Sequence, residues 1–194
     1  MFSGGEEEMC EFLGISKEQL IETYSKTDVI EYSINTISDY ERWDLFVKEL
    51  GVKSSKIEKL VNIYLNSYKP IQETVSFLWE LKTEFPKFVL GVLSDQPASV
   101  VRLLREKYKD IFGLFKEDFT LISSELKISK RDPSQKLFKH ALEKANVTNR
   151  QVLYIDDSIT HLNNAAKAGI PGFHFAIKVN SPSVLIKKLK KKII

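Results

Sequence analysis

The sequence predicts an α/β protein, a doubly wound parallel sheet with a small helical unit ahead of it. Three observations predict it. Helix-start signals recur without a strand through residues 1–70, and after Pro70 short apolar runs alternate with helical stretches. Three of the four apolar runs then end in polar residues, at the strand ends where such sheets bind ligands.

In the first 70 residues, capping boxes stand ahead of apolar repeats: Ser16 with Gln19, Ser38 with Glu41, and Ser55 with Glu58. Leu20, Ile21 and Tyr24 line the first helix, Trp43, Phe46 and Val47 the second, and Ile57, Leu60, Val61 and Tyr64 the third. Gly14 and Gly51 punctuate the ends. Beyond the boundary at Lys69 and Pro70, a helix through Val75, Leu78 and Leu81 precedes FVLGVL at 88–93, which reads as a buried strand. Further strands are expected at 119–122, 152–155 and 173–175, with helices near 98–108, 134–145 and 160–168 between them.

Composition narrows the function classes. A chain of 194 residues, 43% hydrophobic, buries one core or one core with an appendage. Its net charge of +3 is exceeded by the terminal lysines Lys187, Lys188, Lys190, Lys191 and Lys192, a run that reads as a solvated helix end. Without basic residues spread over a face with interleaved aromatics, nucleic-acid binding is not expected. No apolar run approaches the ~20 residues that span a bilayer, and the acidic start MFSGGEEEM is unlike a signal peptide. The single Cys10 excludes an intrachain disulfide and a thiolate metal site. It reads as a small core residue, and the whole pattern points to a cytoplasmic protein without membrane partners.

The chemistry is concentrated at the strand ends. The first run closes on Ser94, Asp95 and Gln96 before Pro97 opens a helix, a turn that can hold an anion or simply cap the helix. In the segment 123–134, Lys130 precedes Asp132 and Pro133; a lysine at the mouth of a sheet can neutralise a phosphate, although most lysines are surface groups. The run VLYI at 152–155 leads into Asp156 and Asp157. Two adjacent carboxylates at a buried strand end repel unless donors or a hard divalent ion such as Mg²⁺ compensate. The competing reading makes Asp157 or Ser158 a cap of the next helix. His140, His161 and His174 form no metal-ligand spacing, and only His161, early in that helix, falls near the acid pair.

In the order of these motifs the chain resembles the haloacid dehalogenase superfamily, whose core is a Rossmann-type sheet. The resemblance covers residues 71–176, with SSEL at 123–126 and NNAAKAGIP at 163–171 as further matches. It implies that Ser94, Asp95 and Lys130 bind phosphate, with Ser94 and the motif lysine Lys130 as catalytic residues, and that Asp156 and Asp157 bind Mg²⁺. It also implies a helical cap at 1–70, of the kind that closes over a small substrate, and an α/β core at 71–194.

The departure is at the start. Family members begin with a central strand ending in Asp-x-Asp, which supplies the nucleophile and an acid–base group. Here aspartates stand at 28, 39, 44, 95, 110, 118, 132, 156 and 157, no two of them one residue apart. The expectation is an N-terminally truncated chain that begins inside the cap, with two strand edges unpaired in mid-sheet. Each buried unpaired backbone group costs about 1–3 kcal/mol. The chain must therefore pair the strands ending at Leu93 and Ile155 directly, recruit a strand from another molecule as a homo-oligomer, or be marginally stable. The resemblance implies a Mg²⁺-dependent phosphohydrolase of a small phosphate ester, inactive in this form. The alternative is a catalytically silent phosphate- and Mg²⁺-binding or interaction module. A metal-independent carbon–halogen hydrolase needs the same absent Asp, and the paired Asp156 and Asp157 argue against it.

Overall fold

Two of the three expected capping boxes form in the structure, a computed structural model that describes residues 2–3, 5–176 and 180–193. Strand β1 (Phe2–Ser3) and helix α1 (Glu6–Leu13) come first. Helix α2 (Lys17–Thr27) starts where the Ser16 hydroxyl accepts from the Gln19 amide and the Gln19 side chain accepts from the Ser16 N–H. One turn, α3 (Ile30–Ser33), leads to α4 (Asp39–Glu49), closed by Ser38 and Glu41 in the same way.

The Ser55–Glu58 box does not form. A 3₁₀ turn over Ser54–Lys56 precedes α5 (Ile57–Asn66), whose cap position is Lys56 with no side-chain bond. Ser55 lies inside the tightened turn, whereas an N-cap side chain needs an extended backbone to reach forward. The buried core of these helices is Met9, Leu13, Leu20, Trp43, Phe46, Val47, Ile57 and Leu60, with Cys10 packed at its edge. Strand β2 (Lys69–Pro70) then pairs antiparallel with β1, Phe2 opposite Pro70, so the bundle's entry and exit lie side by side.

The remainder alternates as expected: α6 (Gln72–Glu84), β3 (Val92–Ser94), α7 (Ala98–Lys107), α8 (Lys109–Phe112), β4 (Thr120–Ile122) and α9 (Ser123–Leu126). There follow α10 (Lys136–Ala145), β5 (Tyr154–Asp156), α11 (Ile159–Lys167), β6 (Gly172–His174) and α12 (Pro182–Ile193). Strand β3 pairs parallel with β4, and β5 with β6, but no ladder joins β3 to β5 among the described residues. Direct pairing, the first of the three expected ways to close the sheet, is therefore not the one taken.

The unclosed sheet also shortens a strand. Instead of a buried strand over 88–93, only Val92–Ser94 is extended in a ladder, and Phe88 and Val89 are 39% and 59% exposed. β4 begins opposite Val92, so residues 88–91 lie outside the ladder, where the Lys116 amide donates to the Leu90 carbonyl at 3.0 Å. The Phe88 amide turns back to the Phe85 carbonyl, and the two rings stack. Gly91 permits β3 to approach its neighbour, because a Cβ there would sit 2.9 Å from the Phe119 carbonyl oxygen.

Two smaller apolar clusters hold this part together. Phe138, Ala165 and Ile170 are packed by Leu93 of β3 and Tyr154 of β5, so one cluster serves both strand pairs. The basic C-terminal helix is only half solvated: Leu189 is buried against Phe77 and Leu81 of α6, and Lys190 pairs with Glu80. No helix among the described residues is long and apolar enough to cross a membrane.

Ile155, in the middle of β5, is 41% exposed, whereas Phe138 is fully buried. Ile155→Ser should therefore change the unfolding free energy by less than about 0.5 kcal/mol, whereas Phe138→Ala should cost about 3–5 kcal/mol in denaturant titrations. A cost at Ile155 comparable to that at Phe138 would mean that the open edge is covered in solution.

Candidate functional site

The residues that end β3 and β5 meet through the loop between α9 and α10. Asp95, one residue past β3, accepts from the Ser129 hydroxyl at 2.6 Å and from the Lys130 amide at 2.8 Å. Those two bonds fix the loop, and the Lys130 carbonyl is held on its other side by the Asn164 side chain of α11 at 3.0 Å. Lys130 is thereby aimed across the gap, its Nζ 2.8 Å from Asp156 Oδ2 at the end of β5.

This ion pair is nearly dry, with side-chain exposures of 9% for Lys130 and 8% for Asp156. Asp156 is also held by the Ser158 amide at 2.8 Å, the His161 ring Nδ1 at 3.2 Å and the Tyr154 hydroxyl. Burial alone would push the Asp156 carboxyl up, but bonds from His161, Lys130 and Tyr154 outweigh it and hold the group well below the usual carboxylate range. The Tyr154 hydroxyl is pushed up, first by burial and then by the Asp156 charge beside it.

Of the expected residues, Asp95, Lys130 and Asp156 are joined by direct bonds. Ser94 ends β3 opposite Ile122, and its hydroxyl makes no hydrogen bond among the described residues. Asp157 is exposed, and its carbonyl meets the His174 ring at 3.0 Å. Among the described residues, no three His, Cys, Asp or Glu side chains gather as around a metal ion. The sequence assigns no role to Tyr154, Ser129 or Asn164, and places His161 near the acid pair without a role. The signal for Tyr154 was its position two residues before Asp156, on the same side of the strand. The helix start at Ser158, which accepts from the His161 amide, turns His161 back toward the strand end.

The helical bundle reaches the same region. Ser123, fully buried after β4, donates to the Ser33 carbonyl at 2.6 Å and accepts from the Gln96 amide at 3.1 Å. Arg131, next to Lys130, donates to Asp28 at 2.9 Å, and Ser99 in the first turn of α7 donates to Asp39 at 2.8 Å.

Acids, a lysine and a serine stand at the strand ends of a parallel α/β arrangement beside a helical bundle, where Rossmann-like folds bind ligands. The family model for haloacid dehalogenase-like hydrolases matches residues 3–174, and the chain belongs to that family. The HAD family enzyme BT-2542 of Bacteroides thetaiotaomicron superposes with a TM-score of 0.64 at 18% identity, over 90% of this chain and 87% of that one. The same enzyme in complex with magnesium and inorganic phosphate superposes at 0.55 with 22% identity, over 82% of this chain and 86% of that one. An aspartate-to-alanine mutant of it in the same kind of complex gives 0.56 with 20% identity, over 82% and 86%. At these identities the likeness is one of fold. No curated protein matches the sequence.

Removing the lysine should leave the Asp156 charge buried, so Lys130→Met should cost about 3 kcal/mol of stability, and adding Asp156→Asn should recover part of it. Additive effects in this cycle would refute the coupling. Because Asp156 is more acidic folded than unfolded, the folded state binds fewer protons and stability rises with pH. The Asp156 contribution should be complete above its ordinary value of 3.8 and be lost as pH falls below it; in Asp156→Asn the acid limb of a stability–pH curve should flatten.

Proposed function

We propose that these strand ends form the phosphate- and Mg²⁺-binding part of a phosphohydrolase for a small phosphate ester, with residues 1–70 as its cap and 71–194 as its core. The observation that carries the reading is the buried Lys130–Asp156 pair at 2.8 Å, held in place by Asp95. The unbonded Ser94 hydroxyl and the first amides of α7 supply donors for a phosphate, and the Lys130 ammonium offsets its charge. Asp95, whose carboxylate faces the loop, positions Lys130 and leaves anion binding to its neighbours.

Mg²⁺ is commonly held by one or two carboxylates together with phosphate oxygens and water, and the buried Asp156 beside the exposed Asp157 fits that donor set. When bound, the ion would neutralise charge on the phosphoryl group. Among this chain's own residues, His161, Tyr154 and the Ser158 amide orient Asp156, and Lys130 and Ser94 hold the phosphate. The solved complexes of the Bacteroides enzyme with magnesium and inorganic phosphate support this reading.

The sequence contains no Asp-x-Asp, so these residues provide binding groups without a nucleophile for phosphoryl transfer. The chain alone should hydrolyse p-nitrophenyl phosphate with Mg²⁺ no faster than its Lys130→Ala variant, and a clear excess would overturn that expectation. Binding should survive. Mg²⁺ with inorganic phosphate at about 100 times Kd should stabilise the fold by about 2.7 kcal/mol, read as a rise in Tm that Ser94→Ala and Asp156→Asn remove. No rise in the unaltered chain would refute the site. The absence of Asp-x-Asp equally favours a second reading, a silent module that binds phosphate and Mg²⁺ without turnover.

A further inference from the structure

His161 lies in the first turn of α11, where the Ser158 cap turns its side chain back onto the end of β5. Its Nδ1 stands 3.2 Å from Asp156 Oδ1, and among the described residues the ring has no other hydrogen-bond partner. The two oxygens of Asp156 are used differently. Oδ2 takes the Lys130 ammonium and the Tyr154 hydroxyl, so a second cation is repelled from that side. Oδ1 takes the Ser158 amide and the His161 ring, and that ring is 19% exposed against 8% for Asp156. The edge left for a metal ion is Oδ1, beside an imidazole nitrogen.

These two atoms have the spacing of adjacent ligands. In an octahedral shell with bonds of about 2.1 Å, neighbouring donor atoms stand about 3 Å apart. A neutral imidazole donates to Asp156 with its proton on Nδ1; with the proton on Nε2, the same Nδ1 offers a lone pair beside Oδ1. The two tautomers carry the same charge, and among the described residues no bond to Nε2 locks the ring in the first. Imidazole suits ions such as Fe²⁺, Ni²⁺ and Zn²⁺, whereas Mg²⁺ takes oxygen ligands.

We propose that His161 Nδ1 joins Asp156 Oδ1 as a metal ligand, so that this site takes a first-row transition ion in preference to Mg²⁺. Asp157, phosphate oxygens and water are left to complete the shell, since the described residues gather no ready-made set of three ligands there. The inference rests on the metal site proposed above at Asp156 and assigns it a nitrogen donor.

The test is calorimetric titration of the 194-residue chain by Mg²⁺ and by Ni²⁺, in dilute inorganic phosphate, with the unaltered protein and with His161→Asn. Asparagine keeps a short side chain able to donate to Asp156 but has no imidazole. Oxygen sites also favour Ni²⁺ over Mg²⁺, so the decisive quantity is the share of that preference that His161 supplies. His161→Asn should lower the Ni²⁺ affinity about tenfold or more and the Mg²⁺ affinity less than about threefold. In the Mn²⁺-loaded chain, pulsed electron paramagnetic resonance should show modulation from an imidazole nitrogen, lost in His161→Asn. The chain has three histidines, so a modulation kept in His140→Asn and in His174→Asn assigns the nitrogen to His161 even if His161→Asn fails to fold. No modulation in the unaltered chain, or one that survives in His161→Asn, would overturn the ligand. An equal loss of Ni²⁺ and Mg²⁺ affinity would also overturn it and leave His161 to orient Asp156. If neither ion binds the unaltered chain, or both bind Asp156→Asn as tightly, the metal site itself falls.

Discussion

The polar chain from Asp95 through Lys130 to Asp156 is the connection on which this α/β half depends. β3 and β5 share no backbone ladder, so the usual means by which a sheet transmits its geometry is missing between them. A carboxylate at the end of one strand fixes a loop backbone, and the side chain of that loop ends on the carboxylate of the other strand. Beneath it, Leu93 and Tyr154 pack on the same Phe138 cluster. A buried ion pair is weak evidence of net stability in an ordinary core, since desolvation offsets the attraction. Here it contributes position, which a nonpolar contact would hold less sharply.

Structure and proposed chemistry therefore fall on the same atoms. Asp156 has four donors, and each restricts the direction of its oxygens. A group held this way keeps its charge and orientation as a phosphate approaches, which is what electrostatic preorganisation requires. The cost is that Lys130 and Asp156 neutralise one another until a ligand separates their roles.

Much of this was legible in the sequence because it is local. The boxes at Ser16 and Ser38 depend on four consecutive residues and form as read. The alternation after Pro70, and the acids and lysine at strand ends, follow from period and punctuation. What could not be read is non-local. Whether Phe88 and Val89 are buried depends on a neighbouring strand, and the apolar run FVLGVL carries no information about one. Ser55 matches the capping pattern, but the preceding 3₁₀ turn removes the extended backbone a cap needs.

The antiparallel pairing of β1 with β2 has one more consequence. It lays the segment that enters the helical bundle beside the segment that leaves it in a single narrow stem, with Gly5 at φ +86° packed so closely on Ser67 that a Cβ would lie 2.3 Å from its hydroxyl oxygen. A body joined by one stem has a single axis about which it can swing, and a small rotation at the stem becomes a large displacement at the far rim. Asp28 and Asp39 lie on the side that meets Arg131 and Ser99, so the lever would carry those carboxylates away from the strand ends while leaving Asp95, Lys130 and Asp156 where they stand.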